Sequence, residues 1–440
     1  MRLYRLESQC FPDITAKVFQ ERDIPIQVAA GNYDLGICSL DWIEELSVKY
    51  SRRALVKVEN LGYGEGILYV VASRSGGVST IEEIQARPGT IRIASEYPNL
   101  AESLALNLRL KRFSIFPLWG AAEAYPPESA DLALIPGDIE VKTFNHALVP
   151  LSKVLSFSAF LISNKSSWET KDLSEVVASI RNKPMVGKKH LPSANIPGVS
   201  DTTEQLPAEK TAEDIVRLAL PDGHQQTPTI QLLNRAGIQV DDYPSAEGNR
   251  RPTINLAGVM VKVIRPQDMP LQVANGNFDL AITGRDWLSE HLCQFPSSPV
   301  TERLDLKFGK VKIVAVVSQD LPADDVHSLR QLSSKRLSSL RVASEYINIA
   351  DEYARDNHLG MYRVIPTWGA SEAFLPEDAD LLIENTETGG TIARHNLKII
   401  DTLFESTACL IIHKDSLSSP GKSKNIKSLT ETLSATVEDG

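Results

Sequence analysis

The chain has 440 residues, 42% of them apolar and 23% charged, which suits soluble globular domains and excludes global disorder. Its net charge of −10 argues against nucleic acid or an anionic membrane as the main partner, because both need a basic footprint; an anionic ligand then needs a local basic pocket. No run approaches the roughly 18 apolar residues of a membrane span. The start, MRLYRLESQC, places Arg and Glu where a secretory peptide has its apolar core, so a cytoplasmic protein is expected.

The four cysteines, Cys10, Cys38, Cys293 and Cys409, form no CxxC pair and support neither a zinc site nor a disulfide framework. In chain order the first informative stretch is Asp23 to Ile43, DIPIQVAAGNYDLGICSLDWI. It returns 245 residues later as DMPLQVANGNFDLAITGRDWL, Asp268 to Leu288. LGYGEGILYVVAS from Leu61 returns as LKFGKVKIVAVVS from Leu306. IRIASEYPNLAE from Ile91 then matches LRVASEYINIAD from Leu340, with the offset grown to 249. PLWGAAEAYPPESADLALI from Pro117 matches PTWGASEAFLPEDADLLIE from Pro366. Order and spacing hold over more than 100 residues, so the chain is a tandem duplication.

The expected organisation is a first unit over 1–183, a linker over 184–212 with four prolines, and a second unit over 213–440. Each unit ends in a strand-like run, Ala159 to Ile162 or Ala408 to Ile412, followed by a helical pattern, Leu173 to Ile180 or Ile426 to Leu433. The second unit alone opens with an extra strand and helix, IVRLALP from Ile215 and TPTIQLLNRAG from Thr227. Strands alternate with helical patterns, so each unit reads as α/β with a mostly parallel sheet, its ligand expected beyond the carboxyl ends of the strands.

The segment richest in chemistry is ADLLIENTETGGTIARHNL, Ala379 to Leu397. A strand runs into Glu384, Asn385, Thr386, Glu387, Thr388, Gly389, Gly390 and Thr391, and then into a helix, which is the layout of an anion-binding loop. Glycines let the backbone approach the ligand, threonine hydroxyls add donors, and Glu384 suits sugar hydroxyls or Mg²⁺. An ordinary capped turn would look similar. In the first unit the same positions hold Ile135, Pro136, Gly137, Asp138, Ile139, Glu140, Val141 and Lys142. Both loop glycines and the acid are gone there, which assigns ligand binding to the second unit.

The second unit, from about Ile215 to Lys414, resembles the catalytic subunit of ATP phosphoribosyltransferase. VRLALPDGH, VIRPQDMP with GNFDLAITGRDWL, LRVASEY, and the loop Glu384 to Thr391 followed by FESTACLI match that family's segments in order. The resemblance implies two tandem periplasmic-binding-protein-like (type II) units, each of two α/β lobes with a cleft between them. It also implies Mg²⁺-dependent attack of N1 of ATP on the anomeric carbon of phosphoribosyl pyrophosphate, the first step of histidine biosynthesis. By the same resemblance Glu387, Thr388, Gly389, Gly390 and Thr391 hold the ribose phosphate and Glu384 the ribose hydroxyls and the metal. Arg265, with Arg250 or Arg251, balances polyphosphate charge, and Gly223 and Asp268 complete the ATP site. Two units in one chain would mimic the family's dimer, with further homo-oligomers open.

Two departures stand out. The opening loop, usually Pro-Lys-Gly-Arg, is Pro221-Asp222-Gly223-His224 here. After Ile412 only 28 residues remain, too few for the long form's regulatory domain. The short form is the better match, and it works with a separate subunit similar to histidyl-tRNA synthetase. Asp279, Asp286, Trp287 and Trp368 recur as Asp34, Asp41, Trp42 and Trp119, which favours structural roles. Glu345 and Tyr346 recur as Glu96 and Tyr97 and are open to either role, whereas Arg265 is replaced by Gln20. His395 recurs as His146 and reads as structural, and His224 is open. A non-catalytic phosphate-binding or regulatory protein, and a phosphoribosyl transfer to another nucleophile, are the alternatives.

Overall fold

A computed structural model describes residues 4–8, 10–50, 54–138, 148–181, 214–245, 248–335 and 338–438. The expected linker, the first-unit loop positions Ile139 to Lys142 and His146 lie outside the described residues. The fold is α/β and built in two repeated halves, each of two lobes.

The second lobes of the halves match strand for strand. In the first half the order is Phe113–Pro117, Ile91–Ser95, Leu132–Gly137, Gly66–Ser73, Leu148–Phe157. In the second it is Tyr362–Pro366, Leu340–Ser344, Leu381–Thr386, Val311–Ser318, Leu397–Ser406. The apolar runs seen in sequence are the middles of these sheets. All eight residues of Gly66–Ser73 are buried, as expected of a strand covered on both faces. The helix Ile347–Asp356 turns Ile349, Ala350, Tyr353 and Ala354 inward, a helical stripe, and leaves its charged residues outside.

The first lobes differ. The second half has five strands in the order Val259–Ile264, Val216–Pro221, Leu280–Gly284, Ala408–His413, Val300–Asp305, with the helix Gln226–Arg235 following Val216–Pro221. The first half has three, Leu35–Ser39, Ala159–Asn164 and Leu55–Asn60. The extra strand and helix of the second unit are thus real and form one side of its first lobe.

The sheets are mixed rather than mostly parallel. Leu340–Ser344 runs parallel to both neighbours, but Val311–Ser318 runs antiparallel to Leu381–Thr386 and Leu397–Ser406. The cause is the path of the chain. It leaves the first lobe along Val300–Asp305 into Val311–Ser318 and returns along Leu397–Ser406 into Ala408–His413, so each sheet receives a strand from the opposite direction. These two crossings per half are what divides each half into two lobes.

The halves pack against each other through reciprocal contacts. One core cluster joins Ile67, Leu118 and Tyr125 to Ile264, Met269 and Phe278. Lys262 Nζ lies 2.7 Å from Glu128 Oε2, and its counterpart Lys17 Nζ lies 2.7 Å from Glu377 Oε2. Residue i of one half meeting j of the other, and the reverse, is the mark of a two-fold-like interface.

Candidate active site

The loop after Leu381–Thr386 is shaped by its own short-range chemistry. Leu381, Leu382 and Ile383 are buried, whereas Asn385, Glu387, Thr388 and Gly390 are exposed. Thr386 Oγ1 accepts from Gly389 N–H at 2.9 Å and closes the turn. Gly389 has φ +74°, a region costly for any residue with a Cβ. At Gly390 a Cβ would meet only Thr388 Oγ1, at 3.5 Å, so packing does not demand glycine there. An open backbone that packing does not require fits close approach of a ligand. The helix that follows, Gly390–Arg394, has only five residues, so an anion bound here would meet loop N–H groups rather than a long dipole.

Glu384 stands at the strand end and accepts from Asn385 N–H at 2.9 Å. Burial raises its proton affinity, and the nearby carboxylates of Glu345 and Glu372 raise it further. Glu345 is raised in the same way, by burial first and by Glu372 second. Neither Glu345 nor Glu372 has an ion pair among the described residues. Asn385 Nδ2 donates to the Tyr346 hydroxyl at 3.0 Å, which donates to Asp286 at 2.6 Å; Ser406 Oγ donates to the other oxygen of Asp286 at 2.8 Å. This chain of bonds ties the loop to the crossing strand Leu397–Ser406. Asp41 and Tyr97 repeat its Asp286–Tyr346 link at 2.8 Å, which shows that link to be scaffold.

The cationic residues lie on the first lobe and form a second group. Arg250 bonds Asp222 Oδ2 at 2.7 Å and Glu123 Oε1 at 3.1 Å. Arg265 approaches Asp222 at 3.2 Å and lies against Gly120, where any Cβ would come within 2.8 Å of its Nε. Arg251 pairs with Glu128 at 2.9 Å, and Asp268 accepts from Trp119 N–H at 3.0 Å. Glu123, Gly120, Glu128 and Trp119 all belong to the first half. Arg250, Arg251 and Asp268 are therefore engaged at the junction of the halves. Asp268 is 4% exposed, and burial keeps its carboxyl protonated far above the ordinary range. Gly223 has φ +78° and is exposed beside His224. Among the described residues no hydrogen bond or ion pair joins this group to the loop Glu384 to Thr391.

Asp222 is the charge reversal noted in the sequence, and the structure gives it a partner on each side. Hydrogen bonding to Arg250 and the Arg250 and Arg265 charges overcome its desolvation and hold its carboxyl below the usual range. In the first half Glu96 and Glu123 keep the places of Glu345 and Glu372, but the third acid is Ile135, which is buried. Glu96 faces Arg22 at 3.3 Å and Glu123 faces Arg250 at 3.1 Å. The degenerate half has two acids in ion pairs; the three of the second half have none among the described residues. Sequence reasoning passed over Glu372, although its recurrence as Glu123 beside the Trp-Gly pair was visible.

Among the described residues no group of three His, Cys, Asp or Glu side chains has metal-ligand spacing. Mg²⁺ takes one or two carboxylates and completes its shell with water and substrate phosphates. Glu384, with Glu372 close by and without an ion pair among the described residues, fits that requirement.

A family model described as ATP phosphoribosyltransferase matches residues 20–182 and 265–435, one segment in each half. Gly223, Arg250 and Arg251 fall between the two segments. The ATP phosphoribosyltransferase of Chlorobaculum parvum is 30% identical over 231 residues, covering 51% of this chain and 73% of its own. That of Chlorobium phaeovibrioides is 31% identical over 229 residues, covering 51% and 72%. An ATP phosphoribosyl transferase complex from Thermotoga maritima is similar at 20% identity and a TM-score of 0.42, covering 51% of this chain and 100% of that one.

Proposed function

The chain belongs to the ATP phosphoribosyltransferase family of transferases, and on that premise we propose that its second half transfers phosphoribosyl from phosphoribosyl pyrophosphate to N1 of ATP, with Mg²⁺. The observation that carries this reading is the loop Thr386 to Thr391. Gly389 turns the backbone at φ +74°, and Gly390 is left open with no packing reason to be glycine. The first half has Glu140 and Val141 at those two positions.

In this reading the loop N–H groups and the Thr388 and Thr391 hydroxyls hold the 5-phosphate of the ribose. Glu384 accepts from the ribose hydroxyls, and with Glu372 it holds Mg²⁺. The ion supplies charge neutralisation on the pyrophosphate. Adenine N1 attacks the anomeric carbon as its bond to the pyrophosphate oxygen breaks, and the electron pair leaves with the pyrophosphate. Positioning and charge stabilisation do most of the work, because N1 needs no strong base at neutral pH. Arg265 is half-exposed, and in this reading it is the cation that follows the leaving group. A separate regulatory subunit similar to histidyl-tRNA synthetase is the partner this reading leads one to look for.

One observation favours a second reading, a phosphate-binding regulatory protein: Arg250 and Arg265 are already engaged by Asp222. Pyrophosphate release from phosphoribosyl pyrophosphate, with ATP and Mg²⁺, decides between them. ATP-dependent release that Gly390→Glu abolishes is the expected result. Tight calorimetric binding of phosphoribosyl pyrophosphate without release would replace the transferase reading with the regulatory one.

A further inference from the structure

Between the two halves, with no residue of the loop Glu384 to Thr391 among its walls, lies a cavity of about 900 Å³. Its mostly apolar walls carry Trp42, Trp119, Trp287 and Trp368. By the repeat, Trp42 is equivalent to Trp287 and Trp119 to Trp368. On one side the Arg22 guanidinium lies 4.5 Å from the Trp42 ring and 5.5 Å from the Trp368 ring, and it faces Glu96 at 3.3 Å. At the equivalent position of the other half, 245 residues on, stands Gln267.

That other side has no cation of its own among the described residues; the Arg22 charge reaches Glu345 but makes no ion pair with it. Trp119 and Trp287 have ring centres 5.7 Å apart, and no cation lies over either ring among the described residues. Gln267 Oε1 is buried with no hydrogen-bond partner. Glu345, the counterpart of Glu96, has no ion pair among the described residues. The acids Glu45 and Glu290 also line the cavity, but each already accepts from the backbone of a neighbouring helix, Glu45 from Asn99 and Leu100 and Glu290 from Asn348 and Ile349. They add negative potential without being free ligands.

We propose that this side of the cavity binds a planar organic cation of the amidinium or guanidinium class, stacked on Trp119 or Trp287, donating one N–H to Gln267 Oε1 and setting its charge against Glu345. The occupied side shows the same walls accepting a guanidinium. An indole face attracts a cation more strongly once both are out of water, and a planar fork of donors suits a lone amide oxygen beside a carboxylate. The same acids repel phosphate, so this ligand differs in class from those of the phosphate loop. Because the walls come from both halves, occupancy stabilises the arrangement in which they meet.

The test titrates the intact chain with benzamidine, and with benzamide as its neutral isostere, followed by tryptophan fluorescence and calorimetry. The expected result is saturable benzamidine binding roughly tenfold or more tighter than benzamide. Gln267→Arg supplies from the protein the cation that Arg22 supplies opposite, and should weaken benzamidine by a similar factor while leaving the far-ultraviolet circular dichroism unchanged. Gln267→Leu, which removes only the acceptor, should weaken it several-fold and decides the matter alone if the arginine variant does not fold. No saturable binding, equal binding of benzamide, or full affinity in the variant tested would overturn the proposal. Neither readout involves turnover, so failure here leaves the transferase reading standing, and loss of transferase activity leaves this site standing.

Discussion

Gly389 and Gly390 are adjacent and identical in type, yet they are glycine for different reasons. Gly389 adopts φ +74°, so Gly389→Ala should cost about 1–2 kcal/mol of stability, read as a fall in Tm. Gly390→Ala meets only Thr388 Oγ1 at 3.5 Å, so Tm should move little while KM for phosphoribosyl pyrophosphate rises. Equal losses of stability in both would refute a ligand-driven glycine at 390. Asp23 gives a prediction in pH. Burial pushes its carboxyl from 3.8 up to about 8, with Oδ2 left without a partner. The folded state therefore holds this proton more tightly than the unfolded chain. The stabilisation is complete below 3.8 and is lost as pH rises toward about 8. The Tm difference between Asp23→Asn and the natural chain should shift in the variant's favour across that window; a pH-independent difference would contradict the assignment.

At the scale of elements, the loop that opens the second half is the informative one. Strand Val216–Pro221 delivers Asp222 between Arg250 and Arg265, which come from the segments before and after strand Val259–Ile264. In sequence, Asp222 is an acid where the resemblance has a lysine. In the structure it is the acid that two arginines share. Asp222→Asn should release Arg265, leave Arg250 held by Glu123 alone, and tighten ATP binding several-fold in calorimetry, with a steeper salt dependence. Unchanged ATP affinity would show that the two arginines do not serve the nucleotide. The strands themselves were legible, because eight buried residues in a row or an inward stripe at helical spacing are local patterns. Strand direction was not. Parallel pairing was expected from alternation of strands and helices, and the crossings between lobes made half of the pairings in each five-stranded sheet antiparallel.

For the whole molecule, the junction of the halves concentrates buried charge. Lys262 is 3% exposed, and burial lowers its ammonium to about 8, whereas hydrogen bonds and charge from Arg251 and Lys262 overcome the desolvation of Glu128 and hold it at about 2. Removing one partner strands the other. Glu128→Ala should destabilise by about 3–5 kcal/mol, and adding Lys262→Met should restore much of it, which a double-mutant cycle in thermal denaturation would read. If the single and double variants lose the same stability, the pair does not hold the halves together.

The sequence by itself determined that the chain is duplicated, that the second copy has an extra strand and helix, and that only this copy keeps the glycines and the acid of the loop. Those facts rest on residue identity at matched positions and on short-range pattern, which need no fold to be read. The tertiary structure decided where the charged residues are spent. Arg250, Arg251 and Asp268 carry no mark in the sequence that they face Glu123, Glu128 and Trp119, more than 100 residues away. That choice follows from which apolar surfaces bury one another, Ile264 and Met269 against Leu118 and Tyr125, and burial between distant segments has no local periodicity. The same packing sets four tryptophans around one cavity and gives only one side of it an arginine.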